Sequence, residues 1–573
     1  MSSRNLLFGV CSAGAMVVVG LLLAGIVERT GGFWYSLDDP YIHLRLSELI
    51  REGGYGINRG EYAAPSSSIL FPLLLVPAAH TSLHLFIPLL LDVIATGLSL
   101  WFLAALMTPS SANFSGMALR AILVFACCLA LNMFGVIFTG LEHSLHIAVS
   151  LGIVFGLVKT YSDARAPNWL ILLIILCPLL RFEGMALSGT ALLVLFYDGY
   201  RSKAAVAAVL LGCALGIWAL FMHMHGLPVM PSSVLVKAST AAAATDNLLG
   251  EAGTNSAVGR LGIIFGTFVD HYKYALSIPQ GRGVIRLALM TIGALTAAAW
   301  QENLRIRAIA LRLLVVVVAS TAAHLSAGTY DGFSRYELYI KFVCLGATVW
   351  ALFGEPDLCG RLISELKANS LRRRFAVGAI LALLFGGFIV VVDDAHASHE
   401  IDATLLTPIG AHNIYAQQAQ MARFAHEYAH VPVAINDLGL VSYQSTEYIL
   451  DLFGLGSEKA RRARIQTPPD EWGASGGWME RLAQQYSVKL VMIYRTPRWF
   501  PSVPQSWCEL GALELLEQDV TPAESKVFFY GTDAAAADKL RKDLTLFFPT
   551  LPPEARFVPR KHSTPDDCAL PGR

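Results

Sequence analysis

Apolar runs of membrane length recur along most of the first 392 residues, and a chain built this way has few options. In lipid every backbone N–H and C=O must be satisfied within the chain, so each run is expected to be a helix. The runs lie at 6–27, 84–107, 117–138, 141–160, 167–182, 184–199, 204–224, 284–301, 308–326, 336–353 and 375–392. The pair spanning 167–199 is broken by Pro178 and Arg181-Phe182-Glu183-Gly184, as a short hairpin or one irregular helix. Ile69 to Ala79, with Pro72 and Pro77, is too short to cross and is expected to lie along the outer face.

Charge agrees with this reading. Only 15% of residues are charged and mean hydropathy is +0.52, against about 25% charge in soluble domains. Formal net charge is zero and no basic stripe appears, which argues against a nucleic-acid partner. Lys159 and Arg165, Arg201 and Lys203, Arg305, Arg307 and Arg312, then Arg361, Lys367 and Arg372 to Arg374 fall in alternate loops. The excess of basic residues marks the cytoplasmic side. The expected layout is eleven crossings, N-terminus inside and C-terminus outside. The expected domains are a transmembrane unit over 1–392, with a first outer loop 28–83, and a soluble unit over 393–573.

In the tail charge rises and long apolar runs stop. Val431–Ile435, Lys489–Tyr494 and Lys526–Tyr530 read as short buried strands, and 412–429 and 475–486 as helical. A small α/β domain follows. Of nine cysteines, only Cys508 and Cys568 fall in this polar region, and an extracytoplasmic tail would let them form a disulfide.

The outer side of this layout collects the polar residues. Asp38-Asp39-Pro40-Tyr41-Ile42-His43-Leu44-Arg45 follows the first crossing. Asp39 and Pro40 can start a helix, with Ile42, Leu46, Leu49 and Ile50 as its buried stripe. That leaves Asp38 unexplained. Two neighbouring carboxylates in a partly dry site push their pKa values apart, which makes one a usable general base. His43 would come round one turn later as an orienting partner. Arg181 beside Glu183, with Glu142 across from it, reads either as a structural pair or as a cation for phosphate. Arg335, beside Tyr336, reads as an interfacial anchor or as a donor to a phosphate leaving group. Lys237 is a further candidate of that kind, or a solvated loop lysine. Glu142-His143 with His146 matches neither common zinc-protease helix pattern. A catalytic divalent cation is therefore the minor reading, and no cofactor is called for.

The Asp38-Asp39 pair, the following helix ending Arg51-Glu52-Gly53-Gly54, and Pro65-Ser66-Ser67-Ser68 before Ile69 to Ala79 together resemble the GT-C superfamily of membrane glycosyltransferases. Asp38 to Arg45, Thr139-Gly140-Leu141-Glu142, Arg181 to Gly184, and the tail segments Asn436-Asp437-Leu438-Gly439 and Asp451-Leu452-Phe453-Gly454-Leu455 look like the bacterial branch containing mycobacterial terminal arabinofuranosyltransferases. The chain departs from that pattern at Pro40 and Phe182. The resemblance implies an inverting transferase of the bacterial inner membrane with a periplasmic tail domain. It takes a sugar, arabinofuranose or another pentose or hexose, from a polyprenyl-phosphate donor to a glycan or lipid acceptor. Asp38 or Asp39 would be the base. Arg335, Arg181 and Lys237 would meet the phosphate, supported by His43, Glu142, Glu183 and Tyr336. Competing readings are a transporter or flippase of lipid-linked sugars, a protein O-glycosyltransferase, and a non-catalytic membrane receptor.

Overall fold

The computed structural model describes residues 3–107, 114–230, 232, 257–330, 333–361, 400–497 and 499–560. The chain is a polytopic α-helical membrane protein with a C-terminal α/β domain. Seven described helices are long and apolar enough to cross a membrane: Leu7–Thr30, His84–Leu106, His143–Ser162, Arg201–Met224, Pro279–Ala299, Leu304–Ala327 and Leu338–Arg361. Ala118–Ala130, Asn168–Leu180 and Gly184–Tyr197 are shorter apolar helices. Burial sorts them. His143–Ser162 and Leu338–Arg361 are 83% buried and form the centre, while Leu7–Thr30 and Arg201–Met224, at 22%, leave most of their surface for lipid.

Two expectations change, at 117–138 and at 257–277, and the open choice at 167–199 is decided. The run at 117–138 is not one helix: it stops at Ala130, turns through Asn132 in a left-handed conformation, and resumes as a 3-10 turn over Val136–Thr139. The run at 167–199 is a hairpin of two helices, with Arg181 extended between them. Between the runs at 204–224 and 284–301, where no helix was expected, Ala257–Ser277 is helical. Its Asp270, His271 and Lys273 interrupt the hydropathy that marked the other helices. The run at 375–392 lies outside the described residues. The segment 69–79 is a short helix, Phe71–Leu75, continued by a 3-10 turn over Val76–Ala78.

The C-terminal domain is built on a six-stranded mixed sheet of order β2-β1-β3-β5-β4-β6. The strands are β1 (Val433–Ile435), β2 (Ile449–Asp451), β3 (Leu490–Ile493), β4 (Cys508–Leu515), β5 (Lys526–Gly531) and β6 (Ala555–Pro559). β1 is parallel to both β2 and β3, and the other pairings are antiparallel. Cys508 is disulfide-bonded, and Cys568 lies outside the described residues.

The first loop ties this sheet to the helices. The Asn58 carboxamide donates to the Ile449 carbonyl (2.8 Å) and accepts from the Ile449 N–H (2.9 Å), as a neighbouring strand would. Tyr448 donates to Glu61 at 2.8 Å. β2 is an edge strand, and these bonds cover groups that an edge leaves open. The Asp39–Arg51 helix is buried at nine of its positions, far more than one stripe, because it packs against the short helices at Phe71–Leu75 and Gly439–Gln444.

Candidate active site

The two adjacent aspartates part company. Asp38 occupies the position before the helix but makes no cap for it. Its carboxylate instead accepts the Gly439 N–H at 2.7 Å and the Leu440 N–H at 2.8 Å, capping the Gly439–Gln444 helix from 401 residues away. Only glycine permits this approach, since a Cβ at 439 would stand 2.0 Å from the Asp38 carbonyl oxygen. Asp38 is buried. Burial pushes its pKa well up, as does the neighbouring Asp437, against the two N–H bonds that hold it down. Burial raises Asp437 as well, although Gln418 and Tyr494 each donate to its Oδ2 at 2.8 Å.

Asp39 turns the other way. It lines an open cleft with His43, His143, Arg181, Arg335 and Tyr336, walled on its apolar side by Ile42, Leu141 and Leu455. Its side chain keeps 34% of its surface exposed, while Arg335, whose Nη2 lies 2.5 Å from Asp39 Oδ2, keeps 5%. Asp38 is not among the residues that line this cleft.

Two guanidinium groups share one aromatic ring. Arg181 and Arg335 each stand 5.0 Å from the centroid of Tyr336, and Arg335 Nη2 also donates to the Tyr336 hydroxyl at 3.0 Å. Their ion pairs differ. Arg181 donates to Glu142 and to Glu183, both at 2.8 Å. Burial works against its charge, but the two carboxylates outweigh that and hold its pKa above the usual value. Burial likewise works against the Glu183 carboxylate, and Arg181 overrides it, leaving the acid at about 2. Arg335 has the single carboxylate of Asp39, and its buried Nε and Nη1 have no hydrogen-bond partner among the described residues. A buried charged donor left unmade is costly, so those two nitrogens mark a place for an anion.

His43 sits where the helix turn predicts, inside the cleft. Its Nδ1 is 3.2 Å from the Ser66 hydroxyl and its Nε2 3.9 Å from Glu142. Burial lowers its pKa, against the pull of Glu142, so at neutral pH the ring is uncharged. Ser67 donates to the same Glu142 at 3.0 Å. The serine segment is pinned in turn: the N–H groups of Ile69 and Leu70 bond the Leu179 carbonyl at 3.1 and 2.9 Å, taking up an acceptor at a helix C-terminus. The structure thus gathers Asp39, His43, Glu142, Arg181, Glu183, Arg335 and Tyr336 in or beside the cleft. Lys237 lies outside the described residues. Among those residues no group of three or more His, Cys, Asp or Glu side chains is placed to hold a metal ion.

Sequence reasoning quoted the Asp451 to Leu455 segment for its resemblance but named no residue of it among the site residues. Leu455 reaches the cleft from the Asp451-Leu452-Phe453-Gly454-Leu455-Gly456 loop. Buried Asp451 shapes that loop by accepting the N–H groups of Phe453 (2.8 Å) and Gly456 (2.7 Å). An aspartate at the end of an apolar strand, followed by glycines, was the available signal.

No curated protein matches the chain. A family model described as "Domain of unknown function (DUF8728)" matches residues 412–530, within the C-terminal domain. Among solved structures, the chain is similar to the oligosaccharyltransferase of Archaeoglobus fulgidus crystallised with zinc and sulfate. That match has a TM-score of 0.43 and 12% identity, and covers 95% of this chain and 75% of that one. It is also similar to ArnT from Cupriavidus metallidurans in the apo state, with a TM-score of 0.42 and 13% identity over 92% of this chain and 98% of that one.

Proposed function

We propose that the chain is a membrane glycosyltransferase of the GT-C type, moving a sugar from a polyprenyl-phosphate donor to a glycan or lipid acceptor on the extracytoplasmic side. One observation carries the reading. A half-exposed carboxylate, Asp39, shares a cleft with a buried arginine, Arg335, that keeps two nitrogens for an anion. A base and an anion site side by side are what transfer from a phosphate-linked sugar requires.

In this reading Asp39 takes the proton of the acceptor hydroxyl as that oxygen attacks the anomeric carbon. The bond from the anomeric carbon to the phosphate oxygen breaks, and its electron pair leaves with the polyprenyl phosphate. Arg335 meets the growing charge through Nε and Nη1, already in place before the reaction starts, where such groups act most strongly. Arg181 ranks second as a phosphate ligand, because two carboxylates already match its charge. Neutral His43, held by Ser66, orients the acceptor. Asp38 supports the fold. With the basic connectors inside, eleven crossings put cleft and tail domain outside, in a bacterial inner membrane.

The test uses purified full-length protein in detergent with polyprenyl-phosphate-linked sugars, arabinofuranose first, and follows release of polyprenyl phosphate. Asp39→Asn is expected to cut release by about 10²–10⁴-fold, the usual contribution of a positioned base, while Asp38→Asn retains it in the fraction that stays folded. Release indifferent to Asp39→Asn removes the catalytic reading, and sugar-lipid translocation without transfer would install a transporter in its place.

A further inference from the structure

We infer that Asn132 is a positioning residue for Arg335; this rests on the anion role proposed for that arginine. Arg335 follows two consecutive non-glycine residues with positive φ, Phe333 at 65° and Ser334 at 51°. Such residues are strained and persist only where the surroundings hold them. Among the described residues the Asn132 carboxamide holds them. Its Nδ2 donates to the Phe333 carbonyl at 3.2 Å and to the Ser334 carbonyl at 3.4 Å, both residues of the left-handed turn. Its Oδ1 accepts the Thr404 hydroxyl at 2.8 Å, which fixes the carboxamide's orientation and leaves the amide facing the turn.

The clamp is tightly built. Asn132 is fully buried and is itself left-handed, at φ 54°. A Cβ at Gly135 would stand 2.3 Å from Asn132 Oδ1 and 2.8 Å from the Thr404 Cα. Asparagine tolerates this backbone better than most residues and carries a donor and an acceptor on one short side chain. It is absent from the cleft wall. Its effect on an anion in the cleft therefore passes through the backbone that presents Arg335. Through Thr404 the Glu400–Leu405 helix reaches this clamp.

A double-mutant cycle tests this. The probe is undecaprenyl phosphate, titrated by intrinsic fluorescence against detergent-solubilised full-length protein. The variants are Asn132→Ala, Arg335→Ala and the double mutant, with thermal unfolding followed in parallel. The expected result is a loss of affinity of about tenfold or more for each single variant, and no further loss when Asn132→Ala is added to Arg335→Ala. Residues that act as a unit fail to add in this way. Thr404→Val, which removes only the orienting hydroxyl, is expected to give a smaller loss that also vanishes in the Arg335→Ala background, and it carries the cycle if Asn132→Ala does not fold. Additive losses, or an unchanged affinity in folded Asn132→Ala or Thr404→Val, overturn the positioning role. An Arg335→Ala variant that binds the probe like wild type overturns the anion role instead, and with it the premise.

Discussion

The Arg181 turn and the Arg335 loop meet at one tyrosine ring, and the same residue type does different work in each. Arg181 is buried between Glu142 and Glu183, so its charge is already answered and its removal strands two carboxylates. Arg335 is equally buried but is answered by one half-exposed aspartate, and among the described residues two of its nitrogens are left over against one, Nε, in Arg181. Burial alone therefore says little about a cation's role. What separates a structural charge from one kept for a ligand is how many of its donors the protein itself uses.

Substitution can break that contrast. Arg335→Ala is expected to lower polyprenyl-phosphate release by about 10²–10³-fold, the scale of losing a donor aimed at developing charge, with little change in thermal unfolding. Arg181→Ala should do the reverse. Breaking a buried pair from one side costs about 3–5 kcal/mol, read as a lowered unfolding temperature. Replacing Glu142 and Glu183 by glutamine in the same variant should recover part of the loss. If Arg181→Ala unfolds like wild type and loses release as Arg335→Ala does, the two arginines are not distinct.

A smaller effect sharpens the matching contrast between the aspartates. Asp38→Asn turns one of two acceptors into a donor facing a backbone N–H, an unmet bond worth about 1–3 kcal/mol. The sign of its pH dependence follows from the raised pKa values of Asp38 and Asp437. The folded state holds a proton that the unfolded chain releases near 3.8, so stability is fully present below that pH. It declines as pH rises through the elevated folded values. Wild type should lose unfolding temperature across that rise, and Asp38→Asn should lose less of it. Equal slopes would mean that the pair does not retain its proton.

Much of this was legible in the sequence. The apolar runs located the helices because lipid leaves the backbone no alternative. Arg181 and Arg335 stood out as charges at the ends of those runs, and Asp39 as one of two adjacent carboxylates. The separate roles of Asp38 and Asp39 were not readable, since Asp38's partners are two amides 401 and 402 residues along the chain. Asn132 was hidden for a related reason: one amide in an apolar run reads as a tolerated polar residue until the left-handed turn it clamps is seen. In the tail, β1, β3 and β5 were found as apolar runs. β4 was missed because Glu509, Gly511 and Glu514 interrupt it and a bulge shifts its register between Glu509 and Gly511. β6 carries Arg556 and ends at Pro559, as an edge strand can.

The most direct measurement is a cryo-electron microscopy structure of the full-length protein with undecaprenyl phosphate bound. Phosphate density is expected within hydrogen-bond distance of Arg335 Nε or Nη1, in the cleft beside Asp39, with Arg181 still held by Glu142 and Glu183. Phosphate seated on Arg181 with its carboxylates displaced, or outside this cleft altogether, would contradict that expectation.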